Sequence, residues 1–141
     1  MSNAPVALFV CRRPQHTRRA VEALRANAEA PETDLIVFSD AAREAAASPQ
    51  VEEVRQFVRT ISGFRTVSVI ERERNFGLAA SIIDGVTRLC REHGRVVVVE
   101  DDLVVSRHFL HYMNRALETW KAAGLPDFAI PKRAQLRLDR S

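Results

Sequence analysis

Four consecutive valines, Val96–Val99, are the feature of this sequence that most restricts its fold. Valine is β-branched and favours strands, and an apolar run without polar alternation is typical of a strand that is buried on both faces. Such strands occur mainly in parallel sheets that carry helices on each side. The valine run therefore predicts a central strand of an α/β protein.

The same alternation of strand and helix extends through most of the chain. Short apolar or alternating runs predict strands, and each is followed by a segment with apolar residues at helical spacing. The predicted strands are Pro5–Cys11, Asp34–Ser39, Arg65–Ile70 and Arg95–Val99, and the predicted helices are Gln15–Ala28, Gln50–Ile61, Leu78–His93 and one opening at Ser106. This order predicts a Rossmann-like, mostly parallel sheet of about four strands with helices on both faces.

Composition and the pattern of the last residues limit the domain boundaries and the classes of ligand that the chain can be expected to have. Residues 1–123 are predicted to form the domain, whereas 124–141 has two prolines and weak periodicity, which is typical of a linker or irregular tail. No apolar run is long enough for a transmembrane segment and no signal peptide is recognisable, so a cytoplasmic protein is expected. The net charge of +3 suits an anionic ligand, but the arginines are too dispersed to predict nucleic-acid binding.

Three adjacent carboxylates follow the valine run, at Glu100, Asp101 and Asp102. Ligands of open parallel sheets bind at the carboxyl ends of the strands, where this trio is placed. Like charges so close together repel each other, and a divalent cation with oxygen ligands would offset them. Mn²⁺ or Mg²⁺ bound together with a diphosphate fits this chemistry. The alternative is that one carboxylate only caps the next turn or helix.

Three weaker signals fall at neighbouring strand ends. Asn75 and Gly77 precede a long helix, whose first backbone N–H groups favour anions. Arg13 follows the first strand, where a guanidinium can bind phosphate oxygens. Asp40 follows the second strand, where an acid can accept a hydrogen bond from a nucleotide. Each also has a structural explanation, as an ordinary loop, a solvated arginine or a turn-forming aspartate. Their convergence on one crevice favours ligand binding.

Four segments in this order resemble those of GT-A type glycosyltransferases related to N-acetylglucosaminyltransferase I. They are LFVCRRPQHTRRAVEAL, DLIVFSDA, NFGLAASI and VVVVEDDL, and the resemblance extends from about Pro5 to Trp120. It implies metal-dependent transfer of a sugar from a nucleoside diphosphate sugar, expected to be a UDP-sugar, to a hydroxyl acceptor that the sequence does not identify. The acidic run corresponds to the DxD-type motif of that family.

The resemblance also implies roles for individual residues. It places the metal on Asp102, the ribose and sugar near Glu100 and Asp101, the uracil ring near Asp40, the phosphates near Arg13, and the wall of the nucleotide crevice at Asn75 and Gly77. Arg12 departs from the family pattern, in which Asn or Asp is expected. The general base of such enzymes is expected beyond the end of this chain, so the fold is expected to be a truncated GT-A fold with incomplete activity.

The alternatives come from other functional classes. A non-catalytic, Rossmann-like module could bind a nucleotide or form a homo-oligomer through an exposed sheet edge. A receiver-like phosphoacceptor domain would also place acids and Mg²⁺ at strand ends. That class predicts an acidic pair after the first strand, where this chain has Arg12 and Arg13.

Overall fold

The structure, a computed structural model, describes residues 2–123 and 128–129 of the 141-residue chain. The strands in this part are β1 (Val6–Val10), β2 (Asp34–Ser39), β3 (Thr66–Glu71), β4 (Val96–Glu100) and β5 (Phe128–Ala129). The helices are α1 (Pro14–Arg25), α2 (Ser48–Val58), α3 (Leu78–His93) and α4 (Phe109–Ala122). The α/β fold predicted from the sequence is confirmed.

The strands form one parallel sheet in the order β3-β2-β1-β4-β5. In the middle of the sheet, Leu8 of β1 faces Val37 of β2 on one side and Val99 of β4 on the other. The chain first builds the sheet outward from β1 to β3 and then continues on the opposite side of β1 with β4. In Rossmann-like folds this change of direction opens a crevice at the carboxyl ends of the two strands.

The two central strands are apolar because both of their faces are covered. All five residues of β1 and all five of β4 are buried, including the four valines. Full burial of a valine or leucine side chain stabilises a fold by about 1.5–3 kcal/mol. This burial explains why neither strand shows the polar alternation of a half-exposed sheet.

Helices cover both faces of the sheet, as predicted. One core cluster joins the sheet to α1, α2 and α4, and its buried helical members include Val21, Leu24, Val54, Val58, Leu110 and Leu117. On the other face α3 packs against the sheet through Ile82 and Leu89. A Cβ atom at Gly85 would lie 2.8 Å from the Phe9 ring, so the absence of a side chain there lets α3 approach closely.

The boundaries of α1 and α4 differ from the sequence prediction because a buried asparagine joins them. Asn27 Nδ2 donates hydrogen bonds to the carbonyl oxygens of Ala23 and Ser106, at 3.0 and 3.2 Å. Its Oδ1 accepts one from the backbone N–H of Leu110 at 2.9 Å. As a result α1 ends at Arg25, three residues before the predicted end, and α4 begins at Phe109, three residues after the predicted start.

The sheet has one strand more than the sequence predicts. Phe128 and Ala129 form β5 and pair with Val96 and Val97 of β4. Two residues are too few to show a hydrophobic period. Apart from these two residues, the segment 124–141, predicted to be a linker or irregular tail, lies outside the described residues. Over the described part of the chain, no helix combines the length and apolar character that crossing a bilayer requires.

Candidate functional site

The predicted site residues lie at the carboxyl edge of the sheet, in the loops after β1, β2, β3 and β4. The register places Phe9 beside Glu100 and Val10 beside Ser39. Asp40 continues this pairing, because its backbone N–H donates to the carbonyl oxygen of Val10 at 3.0 Å. The parallel sheet therefore brings together residues that are far apart in the sequence.

An ion pair spans the switch point between β1 and β4. Arg13 Nη2 donates a hydrogen bond to Asp101 Oδ1 at 2.8 Å. The Asp101 side chain is 6% exposed, whereas that of Arg13 is 47% exposed. A charge-assisted hydrogen bond with one partly buried partner is stronger than an ordinary surface ion pair. The structure thus joins two predicted ligand-binding residues to each other, with the Arg13 guanidinium still accessible from solvent.

The three adjacent acids differ in their accessibility. Glu100 is the last residue of β4 and is 2% exposed, and Asp101 is also buried. Asp102 is the most accessible of the three and is only partly buried. Capping of α4 does not explain the trio, because the cap position of that helix is His108.

A metal ion at this edge would take few ligands from the protein. In the described part of the chain, no group of three or more His, Cys, Asp and Glu side chains is arranged to hold a metal. Mg²⁺ is commonly held by one or two carboxylates, and phosphate oxygens and water complete its coordination. Asp102 is the least buried of the three acids and could supply one such carboxylate, although its Oδ1 is buried. Among the described residues, protein ligands form no closed metal cage.

Asp40 is engaged by the loop that precedes α3. Its Oδ1 accepts hydrogen bonds from the backbone N–H groups of Ala41 and Phe76, both at 2.9 Å. Its Oδ2 accepts from the N–H of Gly77 at 3.0 Å and from Asn75 Nδ2 at 3.3 Å. A carboxylate has about four lone-pair sites, so a ligand that contacts Asp40 has to replace one of these bonds. The structure adds a loop-anchoring role that the sequence analysis did not predict.

Gly77 and Asn75 shape the same loop. Gly77 has φ +81° and ψ 156°, a conformation that is open essentially to glycine alone. Its carbonyl oxygen accepts the Ser81 N–H, which starts the hydrogen bonding of α3. Asn75 Nδ2 also donates to the carbonyl oxygen of Ala41 at 2.9 Å. Both residues therefore lie where the sequence predicts a crevice wall, and both hold the loop against the end of β2.

These residues surround an open cavity of about 350 Å³. Its lining residues are Cys11, Arg12, Asp40, Arg43, Glu44, Ala47, Asn75, Gly77 and Leu78. Three predicted residues, Asp40, Asn75 and Gly77, belong to this lining. The other four, Arg13, Glu100, Asp101 and Asp102, are not among the lining residues and follow β1 and β4. The predicted site therefore has two parts, a cavity near β2 and an acidic edge after β4.

Two arginines in the cavity wall were not predicted as site residues. Arg12 and Arg43 are both exposed and line the same cavity as Asn75 and Gly77. The signal that could have identified them is their position directly after β1 and shortly after β2. Guanidinium groups at strand ends suit phosphate or carboxylate ligands.

Cys11 is a poor nucleophile in this setting. Burial raises the pKa of its thiol, and the carboxylates of Asp40 and then Asp101 raise it further. The guanidinium groups of Arg12 and Arg55 act in the opposite direction. A raised pKa keeps the group as a neutral thiol at pH 7, and thiolate is the reactive form. Cys11 therefore supplies an uncharged wall of the cavity.

A larger cavity of about 460 Å³ lies on α4, away from the strand ends. Tyr112, Arg115, Ala116, Thr119, Trp120 and Ala123 line it. Trp120 lines this cavity and is only partly buried. Its described lining residues include no carboxylate, whereas the lining of the strand-end cavity includes Asp40 and Glu44.

In comparisons with known proteins, the chain matches no protein-family model and no curated protein sequence. What the crevice can bind is therefore argued from its own geometry and charge. The resemblance to GT-A glycosyltransferases stays a prediction.

Proposed function

We propose that the domain binds a nucleoside diphosphate sugar, expected to be a UDP-sugar, with Mn²⁺ or Mg²⁺, as the donor-binding part of a glycosyltransferase. The observation that carries the proposal is the ion pair of Arg13 with Asp101 at the switch point. It holds a half-exposed guanidinium on Asp101, the residue before Asp102, at the position where Rossmann-like folds bind ligands. A diphosphate and its cation require this combination of charges.

Each residue has a distinct task in this proposal. The Asp102 carboxylate would hold the divalent ion, which would supply Lewis-acid neutralisation of the leaving diphosphate. Arg13 binds phosphate oxygens through the N–H groups that do not face Asp101. Asp101 orients that guanidinium, and Glu100 is buried at the end of β4, outside the lining of the cavity. These two acids therefore differ in role from the metal ligand, although the three are adjacent.

The 350 Å³ cavity is the proposed position of the nucleobase and ribose. Its volume falls in the range of small-molecule sites. Asn75 and Gly77 form one wall, and Asp40 fixes that wall from below. The lining carries two arginines, Arg12 and Arg43, and two acids, Asp40 and Glu44, so its charges balance and the arginines offer local contacts for an anionic ligand.

Calorimetric titration of the full chain with UDP, with and without Mn²⁺, tests the proposal. Wild type is expected to bind UDP more tightly with Mn²⁺, and Asp102→Asn is expected to lose that difference. Glu118→Ala removes an exposed carboxylate on α4 and serves as the matched control, with unchanged binding. Absence of UDP binding, or equal Mn²⁺ dependence in Asp102→Asn, overturns the proposal.

The second candidate function is a non-catalytic module that pairs with a second copy. One observation favours it: β3 is an edge strand in the described sheet, and none of its six residues is buried. Exposed edge strands can pair with another chain. Molar mass measured by light scattering during size-exclusion chromatography, before and after Val69→Pro in this edge, tests the pairing. A monomer at all concentrations rules it out.

A further inference from the structure

The buried cation Arg72 packs on Phe76, whose neighbours Asn75 and Gly77 line the cavity. Arg72 itself is not a lining residue, so contact with a ligand does not explain why it is there. It directly follows β3, and 7% of its surface is exposed. Its Nε donates to Ser81 Oγ at 3.0 Å and its Nη2 to the Ser81 carbonyl oxygen at 3.1 Å. Its Nη1 donates to Asp84 Oδ2 at 2.9 Å. The guanidinium thus binds the first two turns of α3.

Aromatic rings fix the same guanidinium from the loop and from the sheet. Its central carbon lies 4.1 Å from the ring centroid of Phe76 and 5.2 Å from that of Phe38. A cation within about 6 Å of a ring centroid is attracted by the ring. Phe76 belongs to the loop whose neighbours Asn75 and Gly77 line the cavity, so Arg72 connects that loop to both β2 and α3.

The backbone of Arg72 is also anchored. Its N–H donates to the carbonyl oxygen of Ser39 at 2.9 Å. Its carbonyl oxygen accepts a hydrogen bond from Arg55 Nη2 at 2.8 Å, and the same Nη2 reaches the Ser39 carbonyl oxygen at 3.2 Å. The loop is therefore held at its beginning by Arg72 and near its end by the Asp40 carboxylate.

Stability alone is a weak reason to bury this charge. Desolvation of a guanidinium is costly, and its ion pair with Asp84 offsets only part of that cost because the Asp84 side chain is 53% exposed and screened by solvent. What an apolar side chain cannot supply is the directed set of hydrogen bonds to Ser81 and Asp84. These bonds fix the orientation of α3 relative to the loop.

We propose that Arg72 is a positioning residue that locks the 75–77 loop and the start of α3 in the conformation that binds the nucleotide. The inference rests on the proposed function, because it assigns this loop to the nucleotide. Arg72 acts through Phe76 and Ser81 and does not touch the ligand. If the loop of a variant without Arg72 adopts the binding conformation in about a tenth of the molecules, the apparent dissociation constant for the nucleotide rises about tenfold.

The test combines hydrogen exchange with UDP titration on the full chain. In wild type the amides of Phe76 and Gly77 donate to Asp40 and are expected to exchange slowly. In Arg72→Met these two amides are expected to exchange faster in the ligand-free protein, and UDP affinity in Mn²⁺ is expected to fall about tenfold. Arg72→Lys, which keeps the charge but has a single ammonium in place of the fork, is expected to fall between the two.

Two controls separate positioning from loss of stability. Arg65→Met removes an arginine that pairs with Asp34 at the other end of β2, and Val58→Ala lowers stability through the α2 core. Both are expected to bind UDP like wild type and to leave the loop amides protected.

The outcomes distinguish this inference from the proposed function. Failure of the wild type to bind UDP overturns the proposed function. If the wild type binds and Arg72→Met retains both its affinity and its loop protection, the positioning role is overturned alone. Should Arg72→Met fail to fold, Arg72→Lys and Ser81→Ala replace it, and wild-type affinity and protection in both variants reject the inference.

Discussion

Arg13 and Asp101 pair at 2.8 Å across the two central strands, and thereby connect the loop after β1 to the loop after β4. The pair orients a cation at the carboxyl edge of the sheet before any ligand is present. A bound phosphate has to share that guanidinium with Asp101. Affinity for an anion at this site is therefore coupled to the strength of the ion pair.

Arg13→Gln is expected to weaken both stability and ligand binding. Loss of the charge-assisted hydrogen bond to Asp101 is expected to lower the free energy of unfolding by about 1–2 kcal/mol, less than for a fully buried pair because Arg13 is half exposed. Urea unfolding and UDP titration measure the two effects. Arg19→Gln, an exposed change on α1, is the control, and equal behaviour of the two variants contradicts the prediction.

Gly77→Ala is expected to lower stability through backbone strain and not through a steric clash. A Cβ atom at Gly77 would meet nothing within 4 Å, so its cost comes from the backbone conformation with φ +81°. The expected loss of stability is about 1–3 kcal/mol, together with weaker UDP binding. Gly94 also has φ +81° and open space around a Cβ atom, but it ends α3. The Gly94→Ala variant is expected to be less stable than wild type but to bind UDP with the same affinity. Weaker UDP binding by Gly94→Ala as well as by Gly77→Ala would contradict a specific role of Gly77 in the crevice.

The stability of the domain is expected to fall in acid partly through Asp34. The pKa of Asp34 is lowered to about 2 from its ordinary value of 3.8, mainly because Arg65 donates hydrogen bonds to its carboxylate. A depressed folded-state pKa contributes stability that is complete above the unfolded-state value and lost as pH falls toward 2. Urea unfolding between pH 5 and pH 3 is therefore expected to show a smaller loss for Asp34→Asn than for wild type. Identical pH slopes would contradict this assignment.

Cys11 is expected to report on occupancy of the cavity. Its raised pKa predicts slow alkylation by iodoacetamide at pH 8, with a rate that increases at higher pH. Because Cys11 lines the 350 Å³ cavity, UDP with Mn²⁺ is expected to slow its labelling further. Peptide mass spectrometry distinguishes it from Cys90 on α3, whose labelling serves as the internal reference. Labelling of Cys11 that is indifferent to saturating UDP would place the nucleotide elsewhere.

The sequence predicts the strands and helices well because burial imposes clear patterns on them. The bounds of β2 and α3 agree with their prediction, since each has a continuous apolar run or stripe between clear turn residues. The ends of α1 and α4 do not, because the side chain of Asn27 makes contacts that sequence spacing does not reveal. Local patterns fix an element, but tertiary hydrogen bonds decide its last turn.

The candidate site is predictable only in part. Strand ends identify Asp40 and the acidic trio, because a parallel sheet places all such ends at one edge. The partners of these residues depend on strand order and loop conformation, so neither the pairing of Arg13 with Asp101 nor the four bonds of Asp40 was predicted. Arg72 was missed for the same reason, since an arginine in the charged stretch after β3 has no sequence signal of burial.

The pairing of β1 with β4 also affects how this protein is made. Val6 faces Val97 in the finished sheet, so β1 leaves the ribosome long before its partner strand is synthesised. Until then the backbone N–H and C=O groups on one edge of β1 have no partner strand, and pairing over such a long sequence separation is slow. A nascent chain stalled before Val96 would therefore be in particular need of a chaperone, and the crevice between β1 and β4 would form only after β4 has been synthesised.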